Sequence, residues 1–317
     1  MLSNIWIYMD FIQNKHCYDF QLRDFSKPGL FDDFVDMTYI ITSHKDLERN
    51  KKVELELQKL IPTRKLYFVY NSTYKTCNKI LPQQIPPYDL KDANLNIMHH
   101  SLENGFNNIL ILENDFFYSD FLLDNINNKE IVREIKDFFN DSSNSETSFA
   151  YNLGPNVLFC YSNFFSKYKN THKLLDGASA QAVIYNKKIQ LEIINGSKNI
   201  ITQYIPDIDK NIDAYVNYNF DVYFYKIPLI FQKFNNTENS NYWSENKTFN
   251  SIIKTRNKLL GLDTNPEHGL SIMYNIAFFM NYLFAFLIFV FICWILYYFF
   301  SRILSAKKIV RIKNKIK

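Results

Sequence analysis

Residues Asn108-Ile109-Leu110-Ile111-Leu112-Glu113-Asn114-Asp115 form an unbroken apolar run that ends abruptly in two carboxylates flanking one amide. Such a run reads as a strand buried on both faces, the signature of a parallel strand in an α/β sheet. In these sheets ligands sit beyond the carboxyl ends of the strands, and paired carboxylates there suit a hard divalent cation holding a diphosphate. A plainer use of the same residues is a solvated turn, or a cap on the next helix through Asp115.

The flanking sequence repeats the pattern. Met37 to Ser43 (MTYIITS) reads as a first strand, and Lys45 to Leu60 as a helix with Val53, Leu57 and Leu60 on one face. Leu66 to Tyr70 supplies a second strand. Beyond Pro82, Pro86 and Pro87 a second helix is expected from Asp89 to Glu103. The polar run 140–148 (NDSSNSETS) reads as an exposed loop, after which strand-like pieces at Val157 to Tyr161, Gln181 to Tyr185 and Asp221 to Tyr225 continue one mixed sheet. An Asn-rich stretch, Lys233 to Thr248, reads as loop before a short helix at Phe249 to Leu260.

Ile276 to Phe300 is apolar apart from Asn281, carries no charge and is about 25 residues long, enough to cross a hydrocarbon core as a single C-terminal transmembrane helix. Seven basic residues follow or close it: Arg302, Lys307, Lys308, Arg311, Lys313, Lys315 and Lys317. Of the 36 basic residues these leave 29 against 32 acidic ones, a balance of −3, so the net charge of +4 belongs to the tail. A nucleic-acid-binding domain shows the opposite balance, and no nucleic-acid partner is expected. The expected organisation is an N-terminal extension (1–36) packed on the domain, an α/β domain (37–260), a linker (261–275), the span (276–300) and a basic tail (301–317).

The side of the membrane is left open by two opposed signals. The basic tail favours a cytosolic C-terminus, whereas Met1 to Ile12 contains Asp10 and lacks the pattern of a signal peptide. Cys17, Cys77 and Cys160 are an odd, widely spaced trio with Cys293 in the span, which shows no disulfide framework and leans towards the cytosol. Sequons at Asn71, Asn140, Asn195, Asn235 and Asn246 arise readily in an Asn-rich chain and decide nothing.

Several residue groups between Met37 and Trp243 together resemble glycosyltransferase family 25, the lipooligosaccharide and collagen galactosyltransferase type, which includes members from large DNA viruses. Tyr39-Ile40-Ile41-Thr42-Ser43 followed by Glu48-Arg49 resembles the family's opening strand and Glu-Arg pair. Gly105-Phe106-Asn107-Asn108 leading into Leu112-Glu113-Asn114-Asp115 resembles its Glu-Asp-Asp signature, with Asn114 in place of the middle Asp. Ala180 to Tyr185, Asp213-Ala214-Tyr215 and Pro228 to Gln232 fall where the family has an Ala-Tyr-rich strand, an acidic residue and a Pro-to-Gln segment.

The resemblance implies a GT-A-like fold, a Rossmann-type mixed sheet flanked by helices, that binds a nucleotide-sugar donor through Mn²⁺ or Mg²⁺. It implies metal duty for Asp115 assisted by Glu113, and donor contacts for Ile41, Thr42, Ser43, Arg49 and Glu113. The base taking the proton of a glycan or protein hydroxyl would be Asp213, with Asp207 and Asp209 as competitors. The acidic trio equally suits capping of a helix from Ile208 to Tyr218, and Arg49 suits a solvated helix face. His44, His99 and His100 have no metal spacing and read as surface or packing residues, while Gln232 and Trp243 suit either an acceptor site or packing. No Gly-x-Ser-x-Gly elbow or glycine-rich phosphate loop is present, which gives nucleophilic catalysis little support and removes kinases and dehydrogenases from the first rank. Retaining or hydrolytic sugar chemistry, which needs two carboxylates across a sugar ring, ranks last. The competing function is a membrane-anchored binding or scaffold protein that keeps the fold without activity, a reading that rests on Asn114.

Overall fold

The computed structural model describes residues 14–162, 166–179, 181–199, 212–232, 247–262 and 264–313. Its strands are β1 (Tyr18–Asp24), β2 (Met37–Thr42), β3 (Lys65–Asn71), β4 (Asn108–Glu113), β5 (Phe116–Tyr118), β6 (Phe149–Asn152), β7 (Asn156–Tyr161), β8 (Thr171–Ala178), β9 (Ala182–Asn186), β10 (Asp221–Tyr225) and β11 (Ile230–Gln232). Nine of them form one sheet in the order β1-β3-β2-β4-β9-β6-β10-β8-β7, and β11 pairs with β5 as a separate ribbon.

β2, β3 and β4 run parallel, with Ile40 opposite Phe68 on one side and Leu112 on the other. They can be apolar throughout because helices cover both faces. Ile109 and Ile111 enter the core that holds Tyr39 and Val69, while Leu110 and Leu112 enter the one that holds Ile40 and Phe68. The first core is closed by helices Pro86–Glu103 and Lys187–Asn199, through Ile97, Met98, Ile189 and Ile193. The second is closed by helices Leu47–Lys59 and Asn127–Asn140, through Val53, Leu57, Ile135 and Phe138. The fold is therefore α/β, a large mixed sheet between helical layers, as expected from the sequence.

The chain leaves β2 for β3 on one side and returns to β4 on the other, so the strand order reverses between β2 and β4. That reversal opens the crevice in which open α/β sheets bind ligands. Beyond β4 the sheet turns largely antiparallel: β9 lies between β4 and β6, and β10 pairs parallel with β6 but antiparallel with β8.

Several elements differ from the sequence expectation. Tyr18–Asp24, inside the N-terminal extension, is an edge strand hydrogen-bonded antiparallel to β3. The run 140–148 contains a short helix, Ser142–Ser145, because Asp141 caps it by accepting from the Ser143 N–H at 3.0 Å. Pro86 opens the second helix three residues earlier than expected, in a first turn where a missing N–H costs nothing. Helix Ile212–Asn219 covers part of the expected 208–218 helix, and residues 208–211 lie outside the described ones.

The last helix runs unbroken from Pro266 to Lys313. Residues 266–275, read from sequence as part of a linker, are its opening turns. Leu270, Met273, Tyr274 and Ala277 are buried on the domain, with Tyr274 and Ala277 reaching the first core. Gly269 lets it approach helix Lys247–Leu260, since a Cβ there would meet the Leu260 carbonyl oxygen at 2.6 Å. From Phe279 to Arg302 the helix is unburied, and it is long and apolar enough to cross a membrane.

Candidate active site

β4 delivers Glu113, Asn114 and Asp115 to the mouth of the crevice, and the chain then turns into β5. Pairing of β5 with β11 sets Gln232 opposite Phe116, which brings the Gln232 Nε2 to donate to Asp115 Oδ2 at 2.5 Å. The other oxygen, Asp115 Oδ1, is shielded from solvent and has no hydrogen-bond partner among the described residues. Desolvation, outweighing the Gln232 hydrogen bond and the Arg49 charge, raises the Asp115 carboxyl above its ordinary range. The Glu113 carboxyl is pushed up to about 8, by burial first and then by the negative charges of Asp115 and Asp213. A buried cluster of this kind is stabilised by any added positive charge.

Opposite the carboxylates lies the amino end of helix Leu47–Lys59. Asp46 caps it by accepting from the Arg49 N–H at 3.1 Å, and the Asp46 Oδ2 also holds the Arg49 Nε at 3.2 Å. So fixed, the Arg49 guanidinium reaches Asn114 Oδ1 at 3.4 Å, while Asn114 Nδ2 donates to Thr42 Oγ1 at 3.3 Å. Thr42 donates to Asn50, whose amide in turn holds the Ser43 carbonyl at 3.0 Å. Asn114 therefore pins the end of β2 to Arg49, a task an Asp could share only in part because it has no amide donor.

These groups line one cleft of about 610 Å³, which Ile41, Thr42, Ser43, Arg49, Glu113 and Asp115 all border. All the residues expected to contact donor or metal thus converge on one cavity. Its far wall is the segment after β3, including Ser72, Thr73 and Thr76, together with Asp89 at the start of helix Pro86–Glu103. His44 stacks on Tyr70 at 3.8 Å between ring centroids and also borders the cleft.

Behind that far wall is a buried charge network that sequence reasoning missed. The Lys79 ammonium donates to Asp89 Oδ1, Asn71 Oδ1 and the Tyr18 hydroxyl, each at 2.6 Å. Asp92 accepts from Asn14 at 3.1 Å and from the Tyr18 hydroxyl, with Lys79 3.8 Å away. Burial lowers the Lys79 pKa and raises that of Asp92.

Cys17 and Cys77 form a disulfide beside it, with Cα atoms 5.9 Å apart, which corrects the expectation of unpaired cysteines. Sixty residues separate them, and only the pairing of β1 with β3 brings them together. The amide of Asn71, one of the sequons, is committed to the network. Asn235 and Asn246 lie outside the described residues.

Asp213 sits in the first turn of helix Ile212–Asn219. Its Oδ1 accepts from the Ala214 N–H at 2.9 Å and its Oδ2 from the Ser179 N–H at 3.0 Å. Ser179 has φ of 91°, a left-handed conformation costly for a residue with a Cβ, and its carbonyl is held by Asn152 Nδ2 at 2.6 Å. Asp213 is close enough to raise the pKa of Glu113 and of Tyr185. It does not border the cleft, and both of its oxygens are engaged by main-chain N–H groups, so its link to Glu113 is through charge. Asp207, Asp209 and Trp243 lie outside the described residues.

Gln181 was not singled out by sequence reasoning, yet it is buried beside the cluster. Its main-chain carbonyl accepts from the Glu113 N–H at 2.9 Å and its Nε2 donates to the Gly154 carbonyl at 2.6 Å, leaving Oε1 without a partner. Gly154 is required here because a Cβ would collide with the Ile230 carbonyl oxygen at 1.6 Å. The histidines follow their plainer reading: His100 stacks on Phe20 at 4.3 Å and bonds the Tyr39 hydroxyl, while His99 pairs with Glu103 at 3.2 Å.

No family model matches the sequence, and no curated protein matches it. Among solved structures, a glycosyltransferase involved in glycosylation of the major capsid of PBCV-1 superposes with a TM-score of 0.36 and 11% identity, covering 64% of this chain and 95% of that one. A nucleoside-diphosphate-sugar pyrophosphorylase from Vibrio cholerae superposes with a TM-score of 0.28 and 8% identity, covering 64% of this chain and 81% of that one.

Proposed function

We propose that the protein is a membrane-anchored glycosyltransferase of the family 25 type. In this reading it moves a hexose from a nucleotide-sugar donor, a UDP-sugar before others, to a hydroxyl of a glycan or protein, with metal assistance and inversion at the sugar carbon. The observation that carries this reading is Asp115: a carboxylate just past the carboxyl end of a central parallel strand, with one shielded oxygen that no donor among the described residues satisfies, at the edge of a cleft large enough for a nucleotide.

The donor set fits a divalent cation of the Mg²⁺ or Mn²⁺ type. Among the described residues no three ligand atoms at this cleft lie within 4.8 Å of one another. Such ions are commonly held by one or two carboxylates plus substrate phosphates and water rather than by a preformed protein cage. Asp115 would hold the ion, with Glu113 beside it. When bound, the ion supplies neutralisation of the charge that grows on the departing diphosphate.

The chain's own residues do the rest. Arg49, oriented by Asp46 and Asn114, presents a guanidinium to the phosphates. Thr42 and Ser43, at the end of β2, border the nucleotide, and Asp213 faces the sugar end as the base for the acceptor hydroxyl. The C-terminal helix anchors the domain. The Cys17–Cys77 disulfide and the basic tail both support a domain on the oxidising face, away from the cytosol.

The test is calorimetric titration of UDP into the full chain in detergent, with and without Mn²⁺. The full chain is required because Tyr274 and Ala277 belong to the domain core. Metal-dependent binding is expected for the wild type, and Asp115→Ala is expected to weaken it by at least about 100-fold. A folded wild type that binds no UDP with Mn²⁺ sinks the transferase reading and leaves the scaffold function.

A further inference from the structure

The C-terminal helix carries no flexible joint between the domain and its apolar run. As far as Arg302 its last buried residue is Ala277, and Phe278 rests on His172 of β8 at 4.6 Å and on Phe224 of β10 at 6.2 Å. The apolar run begins at Ile276, so the domain is still in contact with the helix after that run has started. About 25 residues at about 1.5 Å each span about 37 Å, against about 30 Å of hydrocarbon. That leaves roughly 7 Å, little more than one turn, to divide between the two interfaces. The sheet edge from which the helix departs is therefore held at headgroup level.

That edge is β7, the terminal strand, against which the helix packs. Val157 and Cys160 turn inward to the core shared with Tyr274 and Ala277. Regular alternation would turn only one of Leu158 and Phe159 outward. A register shift on either side of Phe159 exposes both, by 47% and 54%, and Tyr161 and Leu175 of the neighbouring β8 are exposed by 52% and 58%. In water, four large apolar side chains on a free sheet edge invite edge-to-edge association. At a membrane interface, Phe and Tyr are among the side chains favoured. Asp176 opposes Phe159 in register, so the surface is not uniformly cationic and a neutral lipid suffices.

We propose that Leu158, Phe159, Tyr161 and Leu175 form a lipid-contact surface that seats the domain on the bilayer crossed by its own C-terminal helix. This rests on the membrane-anchor reading above. The occupant is the phospholipid interface, because β7, which carries three of these four residues, is the strand against which the helix packs before it becomes a run of exposed apolar residues.

The full chain would be reconstituted into phosphatidylcholine vesicles containing a phosphatidylcholine with a diazirine near its glycerol backbone, then irradiated, and the lipid adducts mapped by peptide mass spectrometry. Adducts are expected in 156–161 and in 279–300 but not in 47–59, whose exposed Leu47 and Leu55 serve as the control surface. Adducts confined to 279–300 overturn the proposal and leave the anchor standing, and absence from both segments overturns the anchor as well. The paired variant Leu158→Ser/Phe159→Ser changes exposed side chains and should melt like the wild type. It should lose about tenfold of the 156–161 adducts, since two large apolar groups no longer partition, with 279–300 unchanged. Equal labelling of 156–161 in variant and wild type, or chain-to-chain adducts at β7 in place of lipid ones, overturns it too.

Discussion

The two ends of the sheet are built by different rules. At the β3-β2-β4 end the strands are parallel, apolar through their central residues and covered on both faces, and the polar groups of the cleft gather at their carboxyl ends. At the β10-β8-β7 end the strands are mostly antiparallel, polar and apolar residues are interleaved, and one face holds a helix that leaves the domain. Parallel pairing makes a site, because every strand points its carboxyl end to the same edge. Antiparallel pairing makes an attachment, because a strand can face the core on one side and something else on the other.

Stability experiments can separate the two ends. The largest loss is expected from Lys79→Met, which leaves Asp89 and Asp92 buried without their counter-charge behind the cleft wall. A cost of about 3–5 kcal/mol is expected in chemical denaturation, with UDP binding lost alongside. If Lys79→Met were as stable as the wild type, the network would not be what holds the parallel end. Cys77→Ser removes a cross-link across a separation of 60 residues and is expected to cost about 4 kcal/mol on loop entropy alone. Comparing its melting temperature with that of the wild type under reducing and oxidising conditions measures this directly.

Acid should act at the other end. Burial, with a lesser push from Lys226, lowers the His172 imidazole to about 4, and its Nδ1 has no hydrogen-bond partner. The fold favours the neutral ring, so this stabilisation is complete above the unfolded value of about 6.5 and is lost as pH falls from about 6.5 towards 4. The full loss is about 3 kcal/mol at 1.36 kcal/mol per unit. His172→Phe should flatten that limb of the stability profile, and an unchanged acid limb would remove His172 from the explanation. The smallest effect should come from Gln232→Met, which takes one donor from Asp115 and leaves its shielded oxygen as it was. About tenfold weaker Mn²⁺-dependent UDP binding is expected by calorimetry, with little change in melting temperature.

Legibility from sequence followed the same division. β2, β3 and β4 were readable because strands buried on both faces are apolar at every position, and Asp221–Tyr225 was expected with the bounds it has. β1 escaped because YDFQLRD, on the sheet edge, is mostly polar or exposed. β8 escaped because Lys173, Asp176 and Gly177 break any strand pattern. Gln181 was legible only as the start of a strand, since its role depends on contacts with Gly154 and Glu113 that are distant in the chain.

The sequence by itself determined the parallel half, the carboxylates at its edge and the length of the C-terminal apolar helix, because each is a local pattern written in consecutive residues. Only the tertiary structure decided that Cys17 meets Cys77, that Asp213 holds the Ser179 N–H and that Lys79 sits among two aspartates. It also decided that the C-terminal helix grows directly out of the domain core. Those facts rest on contacts between residues far apart in the chain, whose closeness depends on strand order and register rather than on any local composition.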